Sequence, residues 1–306
     1  MAELLKGKPV ADAISEQLMS RVATLKGRGV VPTLAILRVG EREDDLSYER
    51  GAMKRCEALD IAVRNIVLDA ECTQEDLLAA IEQVNADSSI HGCLMFRPLP
   101  EHLDEAVACE ALDPAKDIDG ITSGSLYGVF ASKPIRFSLS ELPAEVADYG
   151  VFSNQAVGFP PCTADACTRL LLHYGFDLNG AKVAVVGRSL VIGKPVSMML
   201  QATNATVTMC HTGTRDLAAA CREADILVVA AGHIGTVGAD AVREGQVVID
   251  VGINWDEAAG KLVGDVLFDE VEPIVAAITP VPGGVGSVTT AILASHVAEA
   301  AERMLA

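Results

Sequence analysis

The stretch Ala181 to Pro195, AKVAVVGRSLVIGKP, constrains the fold more than any other part of this chain. Val183 to Val186 is a short β-branched run of the kind buried in a parallel strand. Gly187 breaks it, and beyond Gly193 the apolar periodicity of Val196 to Ala202 predicts a helix with Pro195 near its first turn. A strand that ends on glycine and feeds a helix N-terminus presents backbone N–H groups and the positive end of the helix dipole to an anion. The spacing of Gly187 and Gly193 is not the plain G-x-G-x-x-G fingerprint, and two glycines alone also fit a tight turn that holds no ligand.

Strands and helices alternate on both sides of this stretch. Towards the N-terminus the pattern predicts a helix over Lys8 to Leu25, a strand over Pro32 to Val39, a helix over Leu46 to Leu59 and a strand over Ile61 to Leu68. Thr73 caps a helix to Asn85, Gly92 to Phe96 is a strand, Leu103 to Leu112 a helix, and Asp113 to Gly120 a loop. From Ile121 to Pro161 the periodicity fades and Gly, Ser and Pro accumulate, so this reads as an inter-domain region with one short helix at Glu141 to Tyr149. A helix over Asp165 to His173 leads into the Ala181 stretch. Strands follow at Thr206 to Cys210, Ile226 to Ala230 and Gln246 to Asp250, with a helix at Leu217 to Glu223. Lys261 to Asp265 reads as part of a small hairpin arm, Thr279 to Gly286 (TPVPGGVG) as a rigid loop, and Ser287 as the cap of a final helix to Leu305.

At 306 residues the chain is long enough for two domains. Its net charge of −18 argues against nucleic acid or an anionic membrane as partner, since both repel such a surface, but not against a small anion held by local charges. No apolar run reaches the roughly 18 residues of a membrane span, and Met1 to Val10 does not read as a signal peptide. Eight cysteines without a C-x-x-C pair read as reduced thiols of a cytoplasmic protein, and His91 with Cys93 is not read as a metal site.

In dinucleotide folds an acidic residue at the end of the second strand binds the ribose 2′-hydroxyl of NAD. Here that strand end reads Cys210-His211-Thr212-Gly213-Thr214, without a carboxylate, and Arg188 sits in the glycine turn. A cation and hydroxyls at this place favour NADP; the competing reading makes Arg188 and Thr212 ordinary surface residues.

Several segments, in order along nearly the whole chain, resemble the bifunctional methylenetetrahydrofolate dehydrogenase/methenyltetrahydrofolate cyclohydrolases. They are Lys116-Asp117-Ile118-Asp119-Gly120, Pro161-Cys162-Thr163, Val186-Gly187-Arg188-Ser189 with Gly193 and Pro195, Cys210-His211-Thr212, Val248 to Asn254 (VIDVGIN) and TPVPGGVG. The resemblance implies a two-domain α/β protein: an N-terminal βαβ folate domain over residues 1–160, completed by a returning C-terminal helix over 287–306, and a Rossmann-like NADP-binding domain over 161–286. It implies a tetrahydrofolate derivative as substrate and a homodimer. It assigns Tyr48 and Asp119 to catalysis and substrate binding, with Pro282, Gly283 and Gly284 also at the substrate, and Gly187, Arg188, Ser189, Gly193, Thr212 and Ile253 at the cofactor.

The folate site departs from the family pattern. The family's lysine four residues after the tyrosine is Ala52, and the glutamine before Leu-Pro-Leu-Pro is Phe96, followed by Arg97 in place of leucine. Lys54 is roughly 120° around the helix from Tyr48 and aligns with a different family lysine. Asp45 replaces a serine, Ala164 and Ala166 replace proline and glycine, Ser287 replaces a proline, and the segment from about Ser125 to Gly158 is longer than in the family. Alanine and phenylalanine move no protons, so hydrolysis of the methenyl group is expected to suffer more than hydride transfer. Arg55 and Arg97 are the nearby cations, either as stand-ins or as surface charges, and arginine makes a poor general base. Two other readings stay open: a related NADP enzyme with a non-folate substrate, and a non-catalytic NADP-binding protein.

Overall fold

The computed structural model describes residues 1–132 and 157–305. They fall into two compact units, one built from Ala13–Gly128 with the chain end from Thr290 on, the other from Met1–Asp12 with Thr163–Thr289. The predicted helix at Glu141 to Tyr149 lies outside the described residues.

In the first unit the elements are α1 (Gly7–Gly27, which joins this unit from Ala13 on), β2 (Thr33–Val39), α2 (Glu43–Ala58), β3 (Ala62–Leu68), α3 (Gln74–Ala86), β4 (Gly92–Met95), α4 (Glu105–Ala111) and α5 (Ser123–Phe130); β1 (Glu3–Leu4) precedes them and belongs to the other unit. The strands form a parallel sheet in the order β3-β2-β4, with Leu34 opposite both Val63 and Gly92. β2 is buried along nearly its whole length, as its unbroken TLAILRV run requires. Leu37, Leu77, Ile81, Val84 and Leu112 share one core under α3 and α4. Thr73 and Asp76 close a capping box at the start of α3. Helix α2 starts a turn earlier than the periodicity predicts, because Glu43, Asp44 and Asp45 form an acidic first turn. The faded stretch after Ile121 also holds a helix, α5: the Thr122 hydroxyl accepts from the Ser125 N–H at 3.1 Å, and Asp117 accepts from the Ile121 and Thr122 N–H groups at 2.9 and 2.8 Å. Its start is set by this polar cap rather than by an apolar stripe.

The second unit continues with α6 (Cys162–His173), β5 (Lys182–Val186), α7 (Gly193–Ala202), β6 (Thr206–Cys210), α8 (Leu217–Glu223), β7 (Ile226–Val229), β8 (Val247–Asp250), β9 (Asn254–Asp256), β10 (Lys261–Val263), α9 (Phe268–Val271), β11 (Ala277–Ile278) and α10 (Gly286–Leu305). Six parallel strands run β1-β11-β8-β7-β5-β6. The order reverses at β5, which lies between β6 and β7, so the crevice beyond the β5 C-terminus is where an open α/β sheet takes its ligand. The two-residue strands β1 and β11 were too short to carry a period in the sequence. The hairpin arm is β9 with β10, Trp255 facing Leu262, and Asp265 is buried beyond it rather than part of it.

The last helix returns to the first unit. Arg21 grips Glu302 with two bonds of 3.0 and 2.8 Å and donates to the Ser295 hydroxyl at 3.1 Å. A Cβ on Gly92 would stand 2.6 Å from Ile118 and 3.3 Å from Val297, so β4, the loop at Ile118 and α10 share one close contact.

Candidate active site

Tyr48 and Ala52 lie one turn apart on α2, Tyr48 half-buried and Ala52 buried. Arg38 from β2 holds Glu49 at 2.8 Å, and Asn65 from β3 donates to the other Glu49 oxygen at 2.8 Å, which fixes the helix on the sheet. Phe96 leaves the end of β4 and meets the Tyr48 ring edge-on, centroids 5.9 Å apart and planes at 82°. The ring of Phe96 therefore stands beside the tyrosine, in the place the family resemblance gives to a glutamine. Lys54 is exposed, and Arg55 donates to Ser15 on α1 at 2.9 Å, so neither stands in for the missing lysine. Burial raises the Asp45 carboxyl above its ordinary range, with Arg42 opposing the shift.

The loop Lys116 to Gly120 distributes three charges. Lys116 is buried and donates to the carbonyls of Val84, Asn85 and Asp87 at 2.6, 2.9 and 2.7 Å, capping the C-terminus of α3; desolvation lowers its pKa. Asp117 is spent on the cap of α5. That leaves Asp119, half-buried, whose carboxylate is held by Cys162, with the Cys162 N–H at a long 3.4 Å and a further contact from the Cys162 side chain. Burial raises its pKa, the Cys162 contact and the charge of Arg97 lower it, and Asp117 raises it. Arg97 lies 3.7 Å from Glu105. Gly120 has φ +66°, and a Cβ there would sit 2.5 Å from the Pro161 nitrogen, so only glycine lets this loop close on Pro161-Cys162. The segment Phe96-Arg97 thus links Tyr48 on one side with Asp119 on the other.

In the second unit, Gly187 ends β5 with φ +127°, and a Cβ would reach within 2.1 Å of the Ala230 carbonyl oxygen at the end of β7. A Cβ on Gly193 would lie 2.3 Å from the Gly187 carbonyl oxygen. The turn is closed by the Ser189 hydroxyl, which accepts from the Ile192 and Gly193 N–H groups at 3.1 and 3.4 Å, and α7 begins at Gly193. Arg188 is exposed, and among the described residues its guanidinium makes no hydrogen bond or ion pair. Val186 is the register partner of Cys210, so the loops bearing Arg188 and Thr212 leave neighbouring strands side by side. A helix N-terminus, two glycines where any side chain would intrude, and an unpaired cation fit a dinucleotide phosphate.

Ile253, Pro282, Gly283 and Gly284 line one pocket of about 260 Å³ together with Asp250. The Gly283 carbonyl accepts from the Gly7 N–H at 2.8 Å. Two buried carboxylates, which sequence spacing did not reveal as a pair, hold the loops of this region. Asp250 accepts from the Gly252, Asp265 and Val266 N–H groups at 3.1, 3.0 and 3.1 Å. Asp265 accepts from Ala231 and Gly232 N–H at 2.6 and 2.8 Å and from the Asn254 amide at 2.9 Å. Desolvation is the main reason the Asp250 pKa is pushed up to about 6, with the neighbouring Asp265 adding to it.

Residues 5–119 match the catalytic domain of tetrahydrofolate dehydrogenase/cyclohydrolase, and residues 161–305 match the NAD(P)-binding domain of the same enzymes. The chain belongs to the tetrahydrofolate dehydrogenase/cyclohydrolase family. A relative from Carboxydothermus hydrogenoformans, bifunctional protein FolD, is 49% identical over 303 residues, 99% of this chain and 98% of that one. Among solved structures, the bifunctional FolD enzyme of Campylobacter jejuni has a TM-score of 0.89 at 35% identity, covering 99% of this chain and 100% of that one. The methylenetetrahydrofolate dehydrogenase-cyclohydrolase of Trypanosoma brucei, solved with NADP cofactor and inhibitor, has a TM-score of 0.86 at 33% identity, covering 99% and 98%. Within the family frame, Tyr48, Phe96 and Asp119 belong to the first unit, and the glycine turn, Thr212, Ile253 and Pro282 to Gly284 belong to the second.

Proposed function

We propose that the chain is an NADP-dependent methylenetetrahydrofolate dehydrogenase whose second, hydrolytic activity runs at or near background. The dehydrogenase half is supported by the family match over both domains and by the phosphate cradle at Gly187 and Gly193. The split is carried by one observation: an alanine and a phenylalanine stand around Tyr48 where the resemblance implies a lysine and a glutamine.

Bound NADP⁺ supplies the hydride acceptor for oxidation of the 5,10-methylene carbon to the methenyl level. The protein's part in that step is orientation. Asp119 accepts hydrogen bonds from the pterin ring, and Tyr48 and Phe96 frame its reactive side; the assignment of Pro282, Gly283 and Gly284 to the substrate rests on the family resemblance alone. Arg188 and Thr212 hold the 2′-phosphate, while Gly187, Ser189 and Gly193 shape the turn around the pyrophosphate; Ile253 packs on the cofactor. Opening the methenyl ring requires proton transfers to and from an attacking water. A positioned acid or base contributes roughly 10²–10⁴-fold there, and Ala52 and Phe96 provide none. The chain is further read as one half of a homodimer, as the family resemblance implies. It is also read as cytoplasmic, a reading supported by its eight buried free thiols.

The test is an assay with 5,10-methylenetetrahydrofolate and NADP⁺ in which methenyl and formyl products are followed separately. Methenyltetrahydrofolate is expected to accumulate. Ala52→Lys with Phe96→Gln is expected to recover hydrolysis, whereas Ala52→Lys alone leaves a lysine that stays protonated near neutral pH. Robust hydrolysis of methenyltetrahydrofolate by the unaltered chain would falsify the split.

A further inference from the structure

Among the described residues the Asp119 carboxylate accepts from Cys162, whose N–H stands at a long 3.4 Å, so the backbone that carries Asp119 also sets its direction. That backbone is gripped from the last helix. His296 on α10 is 1% exposed, and its Nδ1 lies 2.8 Å from the Ile118 carbonyl oxygen. A carbonyl only accepts, so Nδ1 carries the ring proton. The Cys162 thiol donates to the same oxygen at 3.3 Å, and its sulfur lies 3.7 Å from Nδ1. The imidazole is packed on Phe159, ring centroids 5.1 Å apart and planes at 34°. Phe159 in turn lies under the Arg303 guanidinium at 4.2 Å, and Arg303 donates to the Gly158 carbonyl at 2.8 Å. The Cys162 N–H reaches the Asp119 carboxylate at 3.4 Å.

We propose that His296 is a positioning residue for Asp119, holding the Ile118 carbonyl and thereby the peptide that presents the Asp119 carboxylate to the substrate. The proposal rests on the reading of Asp119 as the group that binds the pterin ring. A misplacement of about 1 Å in an active site can cost on the order of 10²-fold, and the hydrogen bond at the adjacent carbonyl opposes such a shift. Loss of the Nδ1 donor leaves the Ile118 oxygen to a weaker thiol and frees the peptide to turn. A residue that only fills the core would be replaced by any side chain of similar volume, whereas a donor at the δ position is replaced by asparagine alone. Asparagine carries an N–H at that position, glutamine carries it one atom too far, and leucine carries none.

The experiment compares His296→Asn, His296→Gln, His296→Leu and Asp119→Ala in the full chain. KM and kcat are measured for 5,10-methylenetetrahydrofolate, with the Kd of NADP⁺ and the thermal midpoint measured separately. Asp119→Ala and His296→Leu are expected to raise the folate KM tenfold or more with NADP⁺ binding changed by less than about threefold, and His296→Leu is expected to hold kcat within about threefold, the pattern of lost uniform binding. His296→Gln behaves like leucine, and His296→Asn restores most of the affinity. If leucine does not fold, the contrast between asparagine and glutamine carries the test, since both are polar. A folate KM raised by Asp119→Ala but unmoved by the glutamine and leucine variants overturns the role of His296 while leaving the site intact. Equal impairment by asparagine, glutamine and leucine overturns it as well, because an N–H restored at the δ position then recovers nothing. A folate KM unmoved by Asp119→Ala removes the reading of Asp119 itself, and the proposal with it.

Discussion

Arg188 shows how a single side chain can be left available by its surroundings. It follows a glycine that no other residue can replace, stands exposed above the end of β5, and has no partner among the described residues. One charge-assisted contact to a phosphate is worth about 1.5–3 kcal/mol. Arg188→Ala is therefore expected to weaken NADP⁺ binding by roughly 10- to 100-fold while leaving NAD⁺ binding unchanged, as titration calorimetry with the two nucleotides would reveal. Equal losses for both would mean that the arginine supports the turn rather than the 2′-phosphate. Residues of this kind are legible in a sequence because their type and local spacing carry the chemistry: a cation after a strand-ending glycine, a carboxylate in Asp117-Ile118-Asp119. Lys116 and His296 are not. Each acts on carbonyls brought near only by tertiary folding, Lys116 on Val84 to Asp87 and His296 on Ile118, so no local pattern announces them.

Among the elements, the long periodic strands and helices follow from the sequence, since a β-branched run or an apolar stripe over several turns states its own period. The two-residue strands β1 and β11 exist only because each pairs with a distant neighbour, and α5 begins where Asp117 and Thr122 satisfy its first N–H groups. The connections after β7 and β8 have the same non-local character. Their N–H groups are satisfied by Asp250 and Asp265, fifteen residues apart in the chain. Burial makes the Asp250 charge unfavourable, and its pKa of about 6 stands above the 3.8 of an ordinary aspartate. The folded state therefore binds a proton that the unfolded state has lost between those values. The stabilisation from this group is complete below about pH 4 and disappears as pH rises through 6, an effect on the order of 3 kcal/mol. A carboxyl-carbon NMR titration is expected to show a midpoint near 6 for Asp250, and a midpoint near 4 would contradict the assignment.

At the scale of the whole molecule, the first unit is finished by the last helix. Arg21 meets Glu302, Ile118 meets His296, and Gly158 meets Arg303. A chain ending at Thr289 would lack all three contacts and leave the wall beside Gly92 open. Such a truncation is expected to make the segment Ala13–Gly128 susceptible to limited proteolysis; a protease-resistant fragment of that segment would show that the helix is dispensable. The second unit has the reverse arrangement, since Glu3 and Leu4 pair with Ala277 and Ile278. On the ribosome both ends of the chain must therefore wait. At roughly 5–20 residues per second, the loop at Asp119 emerges on the order of 10–40 s before the histidine that fixes its neighbour. For that interval the strands of the first unit, already made, lack the helix that closes them and stay exposed.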